Sequence, residues 1–142
     1  MQTEKSKSKT RWGRLFGPTA RSDKLLPLNA IKRRAARALG RFDHYARREL
    51  EKHKVTLPPA LNFVSHQQGE LALGVDHPQR DTINAWLAGN AKLAKRFKEV
   101  EILFEIVYAA ENPGIVLSNT IHFHIGLTSA GPIAYFEGRT PS

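Results

Sequence analysis

The stretch Lys98–Ala109, "KEVEILFEIVYA", decides what kind of fold this chain builds. Wound as an α-helix it would be apolar nearly all round. Read with period two it sorts into two faces. Val100, Ile102, Phe104, Ile106 and Tyr108 lie on one, and Glu99, Glu101, Leu103, Glu105 and Val107 on the other. That alternation, with the richness in β-branched residues, predicts a strand.

On the C-terminal side the strand reading continues. The segment "AENPG" turns the chain through Asn112, Pro113 and Gly114. A second strand over 115–127 alternates, with Ile115, Leu117, Ile121, Phe123, Ile125 and Leu127 on one face and Val116, Ser118, Thr120, His122 and His124 on the other. "TSAG" turns again before the closing strand "PIAYFEG". The expectation is a three-stranded antiparallel meander.

On the N-terminal side, Asp76 opens a helix with Pro78 in its first turn and Gln79 at the capping-box position. Ile83, Trp86, Leu87, Leu93, Ala94 and Phe97 form its apolar stripe, and Gly89 admits a kink in the middle. Before it, Leu61 and Phe63, then Leu71, Leu73 and Val75, alternate about Gly69 as a hairpin. Pro58 and Pro59 end a first helix over 29–53, capped by Asn29. The predicted fold class is α+β: helix, hairpin and helix followed by the meander, with helices on one face of a curved sheet.

The first helix also carries the charge. Ile31, Ala35, Ala38, Leu39, Phe42, Ala46 and Leu50 make its core stripe, whereas Arg33, Arg34, Arg37, Arg41, Arg47, Arg48 and Lys52 crowd the opposite face. Residues 1–54 are net +11 and residues 55–142 net −2, which sum to the +9 of the whole chain. A basic front on a nearly neutral rear points to a polyanion, either nucleic acid or an anionic surface. A densely charged but merely solvated helix face is the alternative.

Residues 1–24 read as a disordered basic arm, and 25–142 as a single domain. In the arm, Arg11 and Arg14 interleave with Trp12 and Phe16, so guanidinium groups can meet phosphate while a ring stacks on a base. The expected nucleic-acid contacts are therefore Arg11, Trp12, Arg14, Arg33, Arg34, Arg37, Arg41 and Arg48. With no cysteine, thiolate metal sites and disulfides are excluded, and a cytoplasmic location is expected. No run is long and apolar enough to span a bilayer. No phosphate-binding glycine loop, nucleophile elbow or metalloprotease helix motif occurs, so a non-enzymatic protein without a cofactor is expected.

His122 and His124 need separate weighing. Pairing the strands with Tyr108 opposite Ile115 sets Glu101 against His122 and Glu99 against His124. Such a face can be plain cross-strand polar pairing, a pH-sensitive interface, or a divalent-metal site made by His122, His124 and Glu101. The His-hydrophobic-His pattern with a nearby carboxylate resembles the metal motif of HUH endonucleases. That resemblance implies a tyrosine nucleophile on a helix near the metal; Tyr135, the one tyrosine after the histidines, falls on a predicted strand, so the relaxase type of the family nominates Tyr45.

The order of elements over about 28–138, with "HPQRDTINAWL" after the first hairpin and "SAGPIAYFEG" closing the chain, resembles the family of nuclear transport factor two and the ketosteroid isomerases. The resemblance implies a ligand pocket between sheet and helices, or an adaptor role. The prolines of "LPPAL" leave little room for that family's extra short helix. The histidines would then lie on the outer sheet face together with Leu103, Val107 and Val116, a half-apolar surface suited to a homodimer.

Overall fold

The computed structural model describes residues 27–65, 69–117 and 120–138. The basic arm, with Arg11, Trp12 and Arg14, lies outside the described residues. The chain is α+β, as its patterning predicts. Helix α1 runs Leu28–Lys52, strands β1 and β2 are Leu61–Ser65 and Leu71–Leu73, helices α2 and α3 are Arg80–Ala88 and Ala91–Glu111, and strands β3 and β4 are Ile121–Thr128 and Gly131–Gly138. The strands form one antiparallel sheet in the order β2-β1-β3-β4.

Residues 98–109 are helical, which overturns the strand expectation for them and with it the meander's first strand. The reason lies upstream, at Gly89-Asn90. Gly89 ends α2, and the Asn90 side chain accepts a hydrogen bond from the Leu93 N–H at 3.0 Å, which caps a new helix. No proline or glycine interrupts the chain from there until Asn112-Pro113-Gly114. The continuous stripe Leu93, Phe97, Val100, Leu103, Ile106 and Val107 is buried. This helix looks apolar all round because two sides are covered. Phe97 meets Phe42 of α1 at 6.0 Å and Phe123 of β3 at 5.6 Å, while Tyr108 meets Phe136 of β4 at 5.4 Å.

Helix α1 keeps its expected stripe: Ile31, Ala35, Ala38, Phe42, Ala46 and Leu50 are buried, and Leu39 is partly so. Its start differs, because Pro27, not Asn29, precedes the first turn, and the Pro27 carbonyl accepts from Ala30 and Ile31. Helix α2 likewise begins at Arg80, later than the Asp76 expectation. Gln79 does not close a capping box. Its side chain accepts from the Thr56 N–H at 3.1 Å and donates to the Lys54 carbonyl at 2.9 Å, tying the segment after α1 to the entry of α2.

The helices cover one face of the sheet. Leu61, Phe63, Phe123, Ile125 and Leu127 point into the core from β1 and β3. Rings fill the space between sheet and helices: Phe42 against Phe63 at 6.0 Å, and Phe123 against Phe136 at 5.2 Å. The strand predicted from residue 115 starts only at Ile121, and Ile115 and Val116 are exposed. Among the described residues no helix is long and apolar enough to cross a membrane.

Candidate polyanion groove and the outer sheet face

Helices α1 and α3 pack antiparallel. Lys32 near the start of α1 pairs with Glu111 at the end of α3 at 2.6 Å, and Tyr45 donates its hydroxyl hydrogen to Asn90 Oδ1 at 3.2 Å, at the start of α3. Along this seam lies an open groove of about 760 Å³. Arg37, Arg41, Arg48 and Lys52 line it from α1, and Lys92 and Arg96 from α3. His44 and Glu49 complete the lining, with Gly40 at its edge and the Tyr45 ring as part of its floor.

Elementary helix geometry sets the arrangement. Arg37, Arg41, Arg48 and Lys52 recur at spacings that keep them on one side of α1, over a rise of about 22 Å. The first turns of α3 add Lys92 and Arg96 at the helix end whose dipole is positive. Both sit over Tyr45, with Lys92 Nζ 4.9 Å and the Arg96 guanidinium carbon 5.3 Å from the ring centroid. That cation–π contact steadies two like charges side by side. Arg96 Nε is buried with no hydrogen-bond partner. Glu49 is the single carboxylate of the lining, and the hydrogen bond from Lys52 at 3.1 Å holds it below the usual carboxylate range.

Of the expected nucleic-acid contacts, the structure brings Arg37, Arg41 and Arg48 together in this groove. Arg33 and Arg34 are exposed on α1 outside its lining. Sequence reasoning missed Lys92, Arg96 and Tyr45 as members of the groove, because their membership depends on how α3 packs antiparallel against α1. Arg47, on the same helix, has a structural task. It pairs with Asp43 at 2.6 Å and donates to the Thr128 carbonyl at 2.5 Å, fastening α1 to the β3–β4 turn.

His122 and His124 lie on the outer face of the sheet, away from the helices, as the alternation predicts. Their partners are not the expected ones. His122 is opposite Glu137, and His124 lies between Tyr135 and Val64. Glu101 is on α3, behind the sheet, in an ion pair with Lys98 at 3.3 Å. The metal set His122, His124 and Glu101 is therefore not assembled, and no cluster of three metal-ligating residues occurs among the described residues. Tyr45 lies on the helical side of the sheet, away from the histidines, so the HUH-type constellation through Tyr45 is not brought together either. Leu103 and Val107, expected on the outer face as part of a dimer contact, are core residues of α3.

What the outer face does hold is a hydrogen-bonded cluster. His124 Nδ1 lies 2.8 Å from Asn62 Oδ1, and the Asn62 amide donates to the Tyr135 hydroxyl oxygen. An amide oxygen only accepts, so this contact is a hydrogen bond when the imidazole carries a hydrogen on Nδ1. The His124 and Tyr135 rings stack at 5.1 Å, nearly parallel. Burial pushes the His124 proton affinity down; Glu137 opposes this and His122 adds to it. Gly74 makes the cluster possible, since a Cβ there would run into the Asn62 side chain.

No protein-family model, curated protein or solved structure matches the chain.

Proposed function

We propose that this chain is a small non-enzymatic protein that binds a polyanion, nucleic acid in particular, through the groove between α1 and α3. The observation that carries this reading is the convergence of six lysine and arginine side chains around Tyr45 against one carboxylate. Two like-charged rows facing each other across an open groove repel, and helix solvation alone does not call for that arrangement. An anion in the groove removes the repulsion.

The geometry also favours backbone contact over base reading. Tyr45 already bears two cations on its ring and spends its hydroxyl on Asn90, so it is not free as a stacking platform. Guanidinium and ammonium groups on helices then meet phosphates, which position a ligand without reading its sequence. Little sequence preference is expected.

The test is titration of duplex and single-stranded oligonucleotides with the whole chain and with Arg41→Ala/Arg48→Ala and Lys92→Ala/Arg96→Ala variants. Both double variants should bind weakly while keeping the wild-type circular dichroism spectrum. Undiminished binding by both would remove the groove as the site.

A further inference from the structure

We infer that the outer edge of β4 is a homodimer interface, where a second copy of this chain adds its own β4 in antiparallel register. The inference does not depend on the polyanion reading.

Among the described residues the sheet has two edges, and they differ. β2 offers three residues, whereas β4 offers eight. β4 pairs with β3 residue for residue from Gly131 to Gly138, without a bulge. Edges of this length are normally guarded by lysine, by a bulge or by a central proline. In a chain with 22 lysines and arginines, none stands on β4, and its one proline, Pro132, is near the end. The core is also left open along this strand. On the helix-covered face, Phe123, Ile125 and Leu127 of β3 are buried, yet their β4 neighbours Phe136, Ala134 and Pro132 are only half-buried. A further strand beyond β4 would cover that row.

Self-complementarity selects a second copy over a foreign strand. In an antiparallel pair, directly opposed residues share a face, so a two-fold register with Tyr135 opposite the second copy's Tyr135 keeps core face to core face. It sets Phe136 against the second copy's Ala134, and Glu137 against the second copy's Ile133. No like charges are opposed, the Tyr135 rings stay stacked on His124 and clear the axis, and Pro132 falls opposite Gly138 at the ends, where a missing donor costs least. One long edge per chain closes a two-fold dimer and does not propagate a fibre.

Sedimentation velocity of the full chain at moderate salt, which screens the repulsion between two strongly basic copies, tests this. A dimer is expected. Ile133→Glu would place Glu opposite the second copy's Glu137, and should weaken the dimer about tenfold or more. Ile133→Glu combined with Glu137→Lys should restore it by a cross-subunit ion pair. Thermal melts of each variant confirm that the monomer still folds. A chain that stays monomeric at its highest soluble concentration overturns the inference. So does a dimer that ignores Ile133→Glu, and so does one held by a foreign strand from the expression host.

Discussion

At the scale of single residues, His124 is the most informative side chain on the outer face. Burial lowers its proton affinity from the ordinary histidine value of about 6.5, with Glu137 opposing and His122 assisting. With the folded value below the unfolded one, the unfolded chain binds more protons in the interval between them. The stability that His124 contributes is thus present above the unfolded value and is lost as pH falls toward the folded one. The melting-temperature difference between wild type and His124→Gln should therefore shrink as pH drops from about 7 to about 5. A difference that grows over that range would contradict the placement of His124. Gly74 makes a second residue-scale prediction. Gly74→Ala displaces the Asn62 side chain, releases His124 and Tyr135, and should cost about 1–3 kcal/mol in urea unfolding through hydrogen bonds left unmade. Gly40 should behave in the opposite way. It lies inside α1 with open space where a Cβ would stand, so Gly40→Ala should stabilise the chain by about 0.5–1 kcal/mol.

At the scale of elements, the break at Gly89-Asn90 organises the helical layer. Asn90 caps α3 and receives the Tyr45 hydroxyl, so Asn90→Ala should remove about 1–2 kcal/mol of stability, read from the same unfolding curves, and loosen the floor of the groove. A fully neutral effect would mean that the cap does not hold α3. The same element shows where the sequence could be read and where it could not. α1 was legible because only one of its faces is covered, so its apolar residues fall in a single stripe. β3 was legible from Ile121 on because His122 and His124 keep its outer face polar, and β4 because the turn at "TSAG" sets its start. α3 carries its buried stripe from Leu93 to Val107, but Ile102, Phe104 and Tyr108 beside the stripe are apolar too and pack toward the sheet, so no polar flank sets the stripe off, and "VEILFEIVY" alternates by coincidence. The signal that does identify it is an absence of breakers: a helix capped at Asn90 has nothing to stop it before Asn112. The partners of His122 and His124 were illegible for the same reason. The register expected for them needs a strand where the chain is helical, and their true neighbours Glu137 and Tyr135 come from the closing hairpin.

At the scale of the whole molecule, charge and fold are segregated. The helical layer carries the cations, and the outer faces of the four strands carry Glu137 without a lysine or arginine. Such a molecule presents one basic side to a polyanion and one nearly neutral sheet for other contacts. The groove's half that comes from α1 was readable as a row of arginines, and the half that comes from α3 required the fold. The central claim, that the α1–α3 groove binds phosphates, is tested most directly by the salt dependence of oligonucleotide affinity. With about five net charges available, the logarithm of duplex affinity should fall with the logarithm of salt at a slope of roughly −4.5. The Lys92→Ala/Arg96→Ala variant should flatten that slope by about two units. A slope near zero for the wild type, or a slope that the double variant leaves unchanged, would contradict the account.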